Sequence, residues 1–330
     1  MLNLIARRLA ALIPTIFIVT AAVFALSLGI GMDKAAGVRA GDNPSVEAMI
    51  KAKEILGLDK PVTTRYVEWV ERAVQLDFGR SFVSLEPVDA EGGGTTLRGI
   101  SVREHIATVF PRTLSVTLIA ALFALLIGIP VGIIGGVWPG TIVDRTSAIG
   151  AMIGLAVPSF WLAMLLVSWL AVGLGVLPAV GYETVADGGL WGWFKHLIIP
   201  GFALALGPSA MIARQMRAGL SDVMGSPYIR TAWAKGASLP RVIFRHALRN
   251  ATSAPLTVFA LAMTQLLGGV VIVESLFGID GMGRLIVTSV RSNDVPMLQG
   301  VVMVFLLFTV TVNLLTDIAY GFLNPKVRPA

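Results

Sequence analysis

The chain has 330 residues, 26 of them Lys or Arg and 20 Asp or Glu, giving a formal charge of +6, and it contains no Cys. Only 14% of residues are charged and 55% are apolar, where a soluble domain carries roughly 25% charged residues. Such a composition excludes a disordered chain, leaves too few charges to clothe a soluble globule, and without Cys excludes disulfides, thiolate metal sites and a cysteine nucleophile. A pI near 9.9 points to nucleic acid only where the charge collects on one soluble face.

Six uncharged runs, 9–32, 113–143, 146–182, 196–213, 250–273 and 295–316, divide the chain. A helix rising 1.5 Å per residue needs about 20 apolar residues to cross a bilayer. The runs therefore predict an all-α integral membrane protein with six transmembrane helices, at 9–30, 113–137, 148–175, 197–214, 254–274 and 298–322. Turns are expected at Trp138-Pro139-Gly140 and Leu177-Pro178. The fourth span is the least marked, being short and holding Pro200, Gly201 and Pro208. Arg7 and Arg8 before the first run resemble a secretory leader, but the run is far longer than the 7–15 residues of a leader core, which favours an uncleaved span.

In chain order, 1–30 holds the N-terminus and first span, 31–112 a large segment outside the membrane, and 113–330 a five-helix core. Within 31–112, Asn43 and Pro44 suit a helix start and Gly57 a stop. A second amphipathic helix follows Pro61, with Tyr66, Val70 and Val74 at helical spacing and Trp69 alongside. Residues 84–99, centred on Gly92-Gly93-Gly94, have linker composition. Ser101-Val102-Arg103-Glu104 forms a capping box, and Pro111 is expected to separate that helix from the second span. The segment suits either a scaffold for a partner protein or a cap that packs on the bundle.

Orientation follows from Lys and Arg beside the spans. With the N-terminus inside, the inner pieces 1–8, 138–147, 214–253 and the C-terminal tail carry 12 basic and three acidic residues, and the outer pieces 14 basic and 17 acidic. The inside is thus +9 and the outside −3, with seven basic residues in 214–253 alone. Both termini are expected in the cytoplasm. Trp191 and Trp193 in the outer loop 176–196 suit interfacial anchors.

No ionisable group falls inside an expected span; Glu274 and Asp317 lie at span edges and Arg214 at an inner end. Ion-coupled transporters place carboxylates, His or broken coordinating helices at mid-membrane, and voltage sensors place repeated Arg there. Energy for uphill transport is therefore expected from another chain. Gly128, Gly132 and Gly136, and again Gly150 and Gly154, form stripes that let helices approach closely. Pro130 and Pro158 interrupt spans; Pro158-Ser159-Phe160-Trp161 suits either a solute path or a packing kink. Phosphate-loop, zinc-protease and nucleophile-elbow motifs do not occur, and His105, His196 and His246 are scattered. These features predict no catalytic, cofactor or metal site.

The cytoplasmic loop 215–253 remains. Residues 228–235 are good helix formers ending at Gly236, a helix stop. After Pro240, Val242, Ile243, His246 and Ala247 share one side of a helix and Arg241, Arg245 and Arg249 the other. Such a basic knob suits a soluble partner, and its Arg face equally suits anionic lipid.

Residue order adds what spacing leaves open. Tyr228-Ile229-Arg230-Thr231-Ala232-Trp233-Ala234-Lys235-Gly236-Ala237-Ser238, followed by Arg245-His246-Ala247-Leu248-Arg249-Asn250-Ala251, resembles the "EAA" coupling loop of ABC-importer permeases, specifically the B-type subunit of the dipeptide/oligopeptide and nickel class. Leu56-Gly57-Leu58-Asp59-Lys60-Pro61, Asp77-Phe78-Gly79-Arg80-Ser81-Phe82, Pro158-Ser159-Phe160-Trp161, Glu274-Ser275-Leu276-Phe277-Gly278-Ile279-Asp280-Gly281-Met282-Gly283-Arg284, Asp294-Val295-Pro296 and Gln299-Gly300 resemble signatures of that class in the same order. Arg230 replaces the Glu of the general pattern, and His246 and Arg249 its later Ile and Pro, as in the peptide-class members.

The resemblance implies a type I ABC-importer permease fold with an extracytoplasmic helical segment between helices 1 and 2, in a bacterial plasma membrane. It implies a non-catalytic subunit that pairs with a homologous C-type permease. Two ATPase subunits binding ATP and Mg would dock on the loop, and an extracytoplasmic binding protein would deliver substrate. The residues expected to meet the ATPase are Tyr228, Arg230, Thr231, Ala232, Lys235, Gly236, Ala237, Ser238, Arg245 and His246. Pro158, Ser159, Phe160 and Trp161 are expected along the path. Di- and oligopeptides are the first expected substrates, with nickel, glutathione and haem as alternatives, and a secondary transporter or channel as the competing class.

Overall fold

The computed structural model describes residues 14–25, 28, 45–55, 57, 59–89 and 95–323. The cap expected at Asn43 and Pro44, the glycine run 92–94 and the C-terminal tail lie outside them. The chain forms two units, one of Met1–Arg7, Leu114–Ile279 and Thr311–Ala330, the other of Arg8–Thr113 and Asp280–Val310. We call them the core unit and the hairpin unit.

The hairpin unit begins with an apolar helix, α1 (Pro14–Ala25), followed by α2 (Val46–Ile55) and α3 (Val62–Val74). Tyr66, Trp69, Val70 and Ala73 of α3 face its core with Phe24, Phe78, Val102, Ile106 and Val109. Residues 84–99 are not a linker. β1 (Arg80–Asp89) and β2 (Thr95–Ser101) pair antiparallel, Leu85 opposite Gly99 and Asp89 opposite Thr95. The linker composition belongs to the hairpin turn, while Val83, Leu85, Thr96, Leu97 and Ile100 supply strand residues. Gly99 is required here: a methyl group on it would come within 2.1 Å of the Ser81 carbonyl oxygen.

Helix α4 (Val102–Val137) runs unbroken through Pro111, contrary to the expected separation. Ser101 caps it, its Oγ accepting from the Glu104 amide at 3.4 Å. Proline's fixed φ suits a helix, so the cost at position 111 is one lost backbone bond and a strained turn. Packing on both sides offsets it: Val102, Ile106 and Val109 before, Val116, Ala120 and Ala124 after, are all buried. α11 (Met282–Ser292) and the first turns of α12 (Val295–Leu323) complete the hairpin unit.

In the core unit the expected third span is two helices, α5 (Ile142–Ala156) and α6 (Ser159–Gly173), bent by 99°. Pro158 disfavours helical geometry at the preceding residue, and Val157 is accordingly extended, at φ −80° and ψ 120°. The last turns of α6, Val167–Gly173, are π-helical. Next, α7 (Val185–Met224) overruns the expected fourth span at both ends, with Gly189 at φ 66° marking a break near its start. Leu197, Ala203, Ala205, Ile212, Met216 and Leu220 make α7 the buried axis of the unit. Small residues and two prolines weaken its apolar signal in sequence because protein, not lipid, surrounds it.

The chain continues through α8 (Pro227–Ala234), α9 (239–251) and α10 (Ser253–Phe277). Among the described residues, four helices are long and apolar enough to cross a membrane, or five with the bent pair as one span; α1 is a shorter apolar helix. The α4 glycine stripe lies against α7: a methyl group on Gly128, Gly132 or Gly136 would approach α7 atoms to 2.7, 2.5 or 2.9 Å. Gly154 also packs on α7, 3.2 Å from Ala210 Cβ, whereas Gly150 faces open space.

Candidate coupling knob and membrane cavity

Three short pieces build the knob. Pro227 starts α8 at a position where its missing N–H is no loss. The helix ends in a Schellman motif: the Ala237 amide donates to the Ala232 carbonyl at 3.2 Å and the Gly236 amide to that of Trp233 at 2.9 Å. Gly236 sits at φ 77°, which closes the motif without steric cost. The next segment, α9, carries a π-helical stretch over Val242–Ala247.

The two pieces fold around a small apolar core. Ile229 and Ala232 of α8 meet Val242, Ile243, Ala247 and Ala251 of α9, and this cluster is continuous with Val137 of α4 and Met216 and Leu220 of α7. Tyr228 ties the knob across: its Oη accepts from Asn250 Nδ2 at 2.8 Å and donates to the His246 carbonyl at 3.4 Å. Where α9 approaches α7, a methyl group on Gly219 would stand 3.0 Å from the Ala251 carbonyl oxygen. The knob is thus rooted in the ends of two long helices.

Of the residues expected at the coupling loop, Tyr228, Arg230, Thr231, Lys235, Gly236, Ser238 and Arg245 are exposed. Ala237 and His246 are half-buried, and Ala232 is buried inside the knob. The structure therefore places Ala232 with the packing and the others along one surface. Trp233 and Phe244, 41% and 69% exposed, were missed. Phe244 was legible in principle as an apolar residue out of phase with the buried stripe of Val242, Ile243 and Ala247.

Beside the knob, the Asp144 carboxylate pins the turn before α5 to α7. It accepts from the Gly140 amide at 2.9 Å and from both Arg217 Nη2, at 2.9 Å, and Arg217 Nε. Asp144 is buried, and a two-pronged guanidinium contact of this kind fixes geometry as well as charge.

A cavity of about 210 Å³ opens at the α5–α6 bend, lined by Gly154, Val157, Ser159, Gly207, Gln265 and Gly269 among others. Of the four expected path residues, Ser159 lines it; Phe160 and Trp161 are largely exposed on α6, and Pro158 makes the bend. Gln265 is the polar partner that sequence reading missed, because one amide in an apolar run carries no local signal. Among the described residues no three His, Asp or Glu side chains are placed to hold a metal.

Comparison with known proteins accounts for this arrangement. Residues 128–329 match the family described as binding-protein-dependent transport system inner membrane component, and residues 1–117 its N-terminal counterpart. The glutathione transport system permease protein GsiC of Escherichia coli (strain K12) is 36% identical over 328 residues, 99% of each chain, as is that of Shigella dysenteriae serotype 1 (strain Sd197). A chain of the inward-facing MetNI methionine ABC transporter superposes with TM-score 0.55 at 17% identity, covering 67% of this chain and 97% of its own, which shows a shared type I importer permease fold. This chain therefore belongs to the binding-protein-dependent inner membrane components, the non-catalytic permease subunits of ABC importers.

Proposed function

We propose that the chain is the B-type permease of a peptide importer and that the knob of α8 and α9 is the surface gripped by a cytoplasmic ATPase subunit. The observation that carries this reading is the continuity of the knob's core with α4 and α7: a pull on α8 moves the axis of the bundle. A homologous C-type permease supplies the other half of the path, a second ATPase its driver, and ATP and Mg bind to those partners. The excess of Lys and Arg in 214–253 supports a cytoplasmic knob and cytoplasmic termini.

Closure of the ATPases on ATP draws the two knobs together, and the bundles exchange inward- and outward-facing states. The cavity at the α5–α6 bend suits part of the path, with Ser159 and Gln265 offering hydrogen bonds to a peptide's polar groups. Short peptides are the substrate class we favour. Glutathione, itself a tripeptide and the solute named for the relatives at 36% identity, is the first to test.

Gly236→Asp tests the assignment. At φ 77° an aspartate costs roughly 1–2 kcal/mol of local strain, and it places charge and bulk on the exposed surface. We expect the subunits to copurify while binding-protein-stimulated ATP hydrolysis no longer drives uptake. Gly236→Asn, which tolerates the same backbone without the charge, should retain most uptake. Full uptake by Gly236→Asp contradicts the assignment.

A further inference from the structure

The hairpin unit holds a cavity that the transport reading leaves unused. It encloses about 360 Å³, the size of a small-ligand site. Its wall carries Arg65, Arg72, Arg80 and Arg98 against one carboxylate, Glu68. Glu68 is already paired with Lys60 at 2.6 Å, and Arg80 is held by the Gly99 carbonyl at 2.7 Å and Glu86 at 3.3 Å. Arg72 Nε donates to the Glu68 carbonyl at 3.3 Å. The wall keeps a clear excess of positive charge, and burial lowers the Arg65 pKa from its ordinary value.

A second observation points to an acceptor. Trp69 lines the same cavity, is 5% exposed, and has its indole N–H buried without a hydrogen-bond partner among the described residues. Buried donors are almost always satisfied. An anion's oxygen in the cavity supplies what this donor and the arginines lack.

The level of the cavity identifies the anion's source. Phe24 of its wall belongs to the last turn of α1, and Val295, Pro296 and Gln299 to the first turns of α12. Apolar helices begin and end at the headgroup level of a bilayer. α3 adds exposed Val62, Val67 and Val74 beside its basic residues, the mixture that an interfacial helix presents to acyl chains and phosphates. We propose that this cavity binds the phosphate of an acidic phospholipid headgroup, clamped by Arg65, Arg72 and Arg98 with the Trp69 indole as the directional donor.

Native mass spectrometry of the intact, delipidated complex after adding back phosphatidylglycerol or phosphatidylcholine tests the proposal. We expect the wild type to retain phosphatidylglycerol over phosphatidylcholine, and excess inorganic phosphate to leave that lipid bound. Arg65→Gln with Arg72→Gln should weaken retention by about tenfold or more, as for loss of charge-assisted hydrogen bonds. Trp69→Phe, which keeps the ring packing, should weaken it less; hydrogen exchange across β1 and β2 reports that each variant folds. Equal retention of both lipids, or unchanged retention in the arginine variant, overturns the proposal. Displacement of the lipid by inorganic phosphate also overturns it, identifying a site for free anions.

Discussion

Gly132 has no room for a side chain: its added methyl group would stand 2.5 Å from Met216 Cβ and 2.6 Å from the Ala213 carbonyl oxygen. Overpacking of this kind costs about 1–3 kcal/mol, and α4 must shift against α7 to relieve it. We expect Gly132→Ala to lower the melting temperature of the detergent-solubilised complex, and Gly150→Ala, which meets nothing within 4 Å, to leave it unchanged. Equal melting temperatures for the two variants contradict the packing account. The repeat at 128, 132 and 136 was legible as close packing, but the partner was not, because periodicity names a face and not its neighbour. The same limit explains Gly150, which shares the spacing and makes no contact. Asp144 is a comparable case: nothing local in the sequence connects it with Arg217, 73 residues on.

At the scale of elements, the hairpin and α12 are joined by one buried carboxylate. Asp294 accepts from the Ser81 hydroxyl and, at 3.2 Å, from the Phe82 amide, and both Ser81 and Asp294 are buried. Ser81 Oγ in turn accepts from the Ser84 amide at 2.7 Å. Asp294→Ala leaves those donors unsatisfied, which costs about 1–3 kcal/mol. We expect faster proteolytic cleavage within residues 80–101 in this variant, with the knob's cleavage rate unchanged; equal rates in the hairpin contradict the role given to Asp294. The sequence segments 77–82 and 294–300, noted separately as family signatures, meet here. Gly300 belongs to the same join, since a methyl group on it would stand 2.6 Å from Val102 Cγ1. Their sequence order was visible, but their contact depends on chain folding over more than 200 residues. By contrast the capping box at Ser101 and the stop at Gly236 were legible because each is closed by bonds within a few residues. The hairpin was hidden by its own turn, and the continuity of α4 by a proline whose cost is met by packing elsewhere.

For the whole molecule, the +6 charge resolves into a topology rather than a binding preference. Most of the inner excess lies on 214–253, where Arg230, Lys235, Arg241, Arg245 and Arg249 are exposed around an apolar core. That stretch therefore has two properties a coupling element needs, a polar contact surface and a rigid root in α4 and α7. The absence of Cys from the chain makes the claim directly measurable, since one engineered thiol is the only thiol this subunit carries. The decisive measurement is thiol crosslinking from Lys235→Cys in the assembled importer, compared with Val180→Cys in the expected outer loop. The account predicts an adduct between the Lys235→Cys subunit and the ATPase that responds to ATP, and none from Val180→Cys. An ATPase adduct from Val180→Cys with none from Lys235→Cys would contradict it.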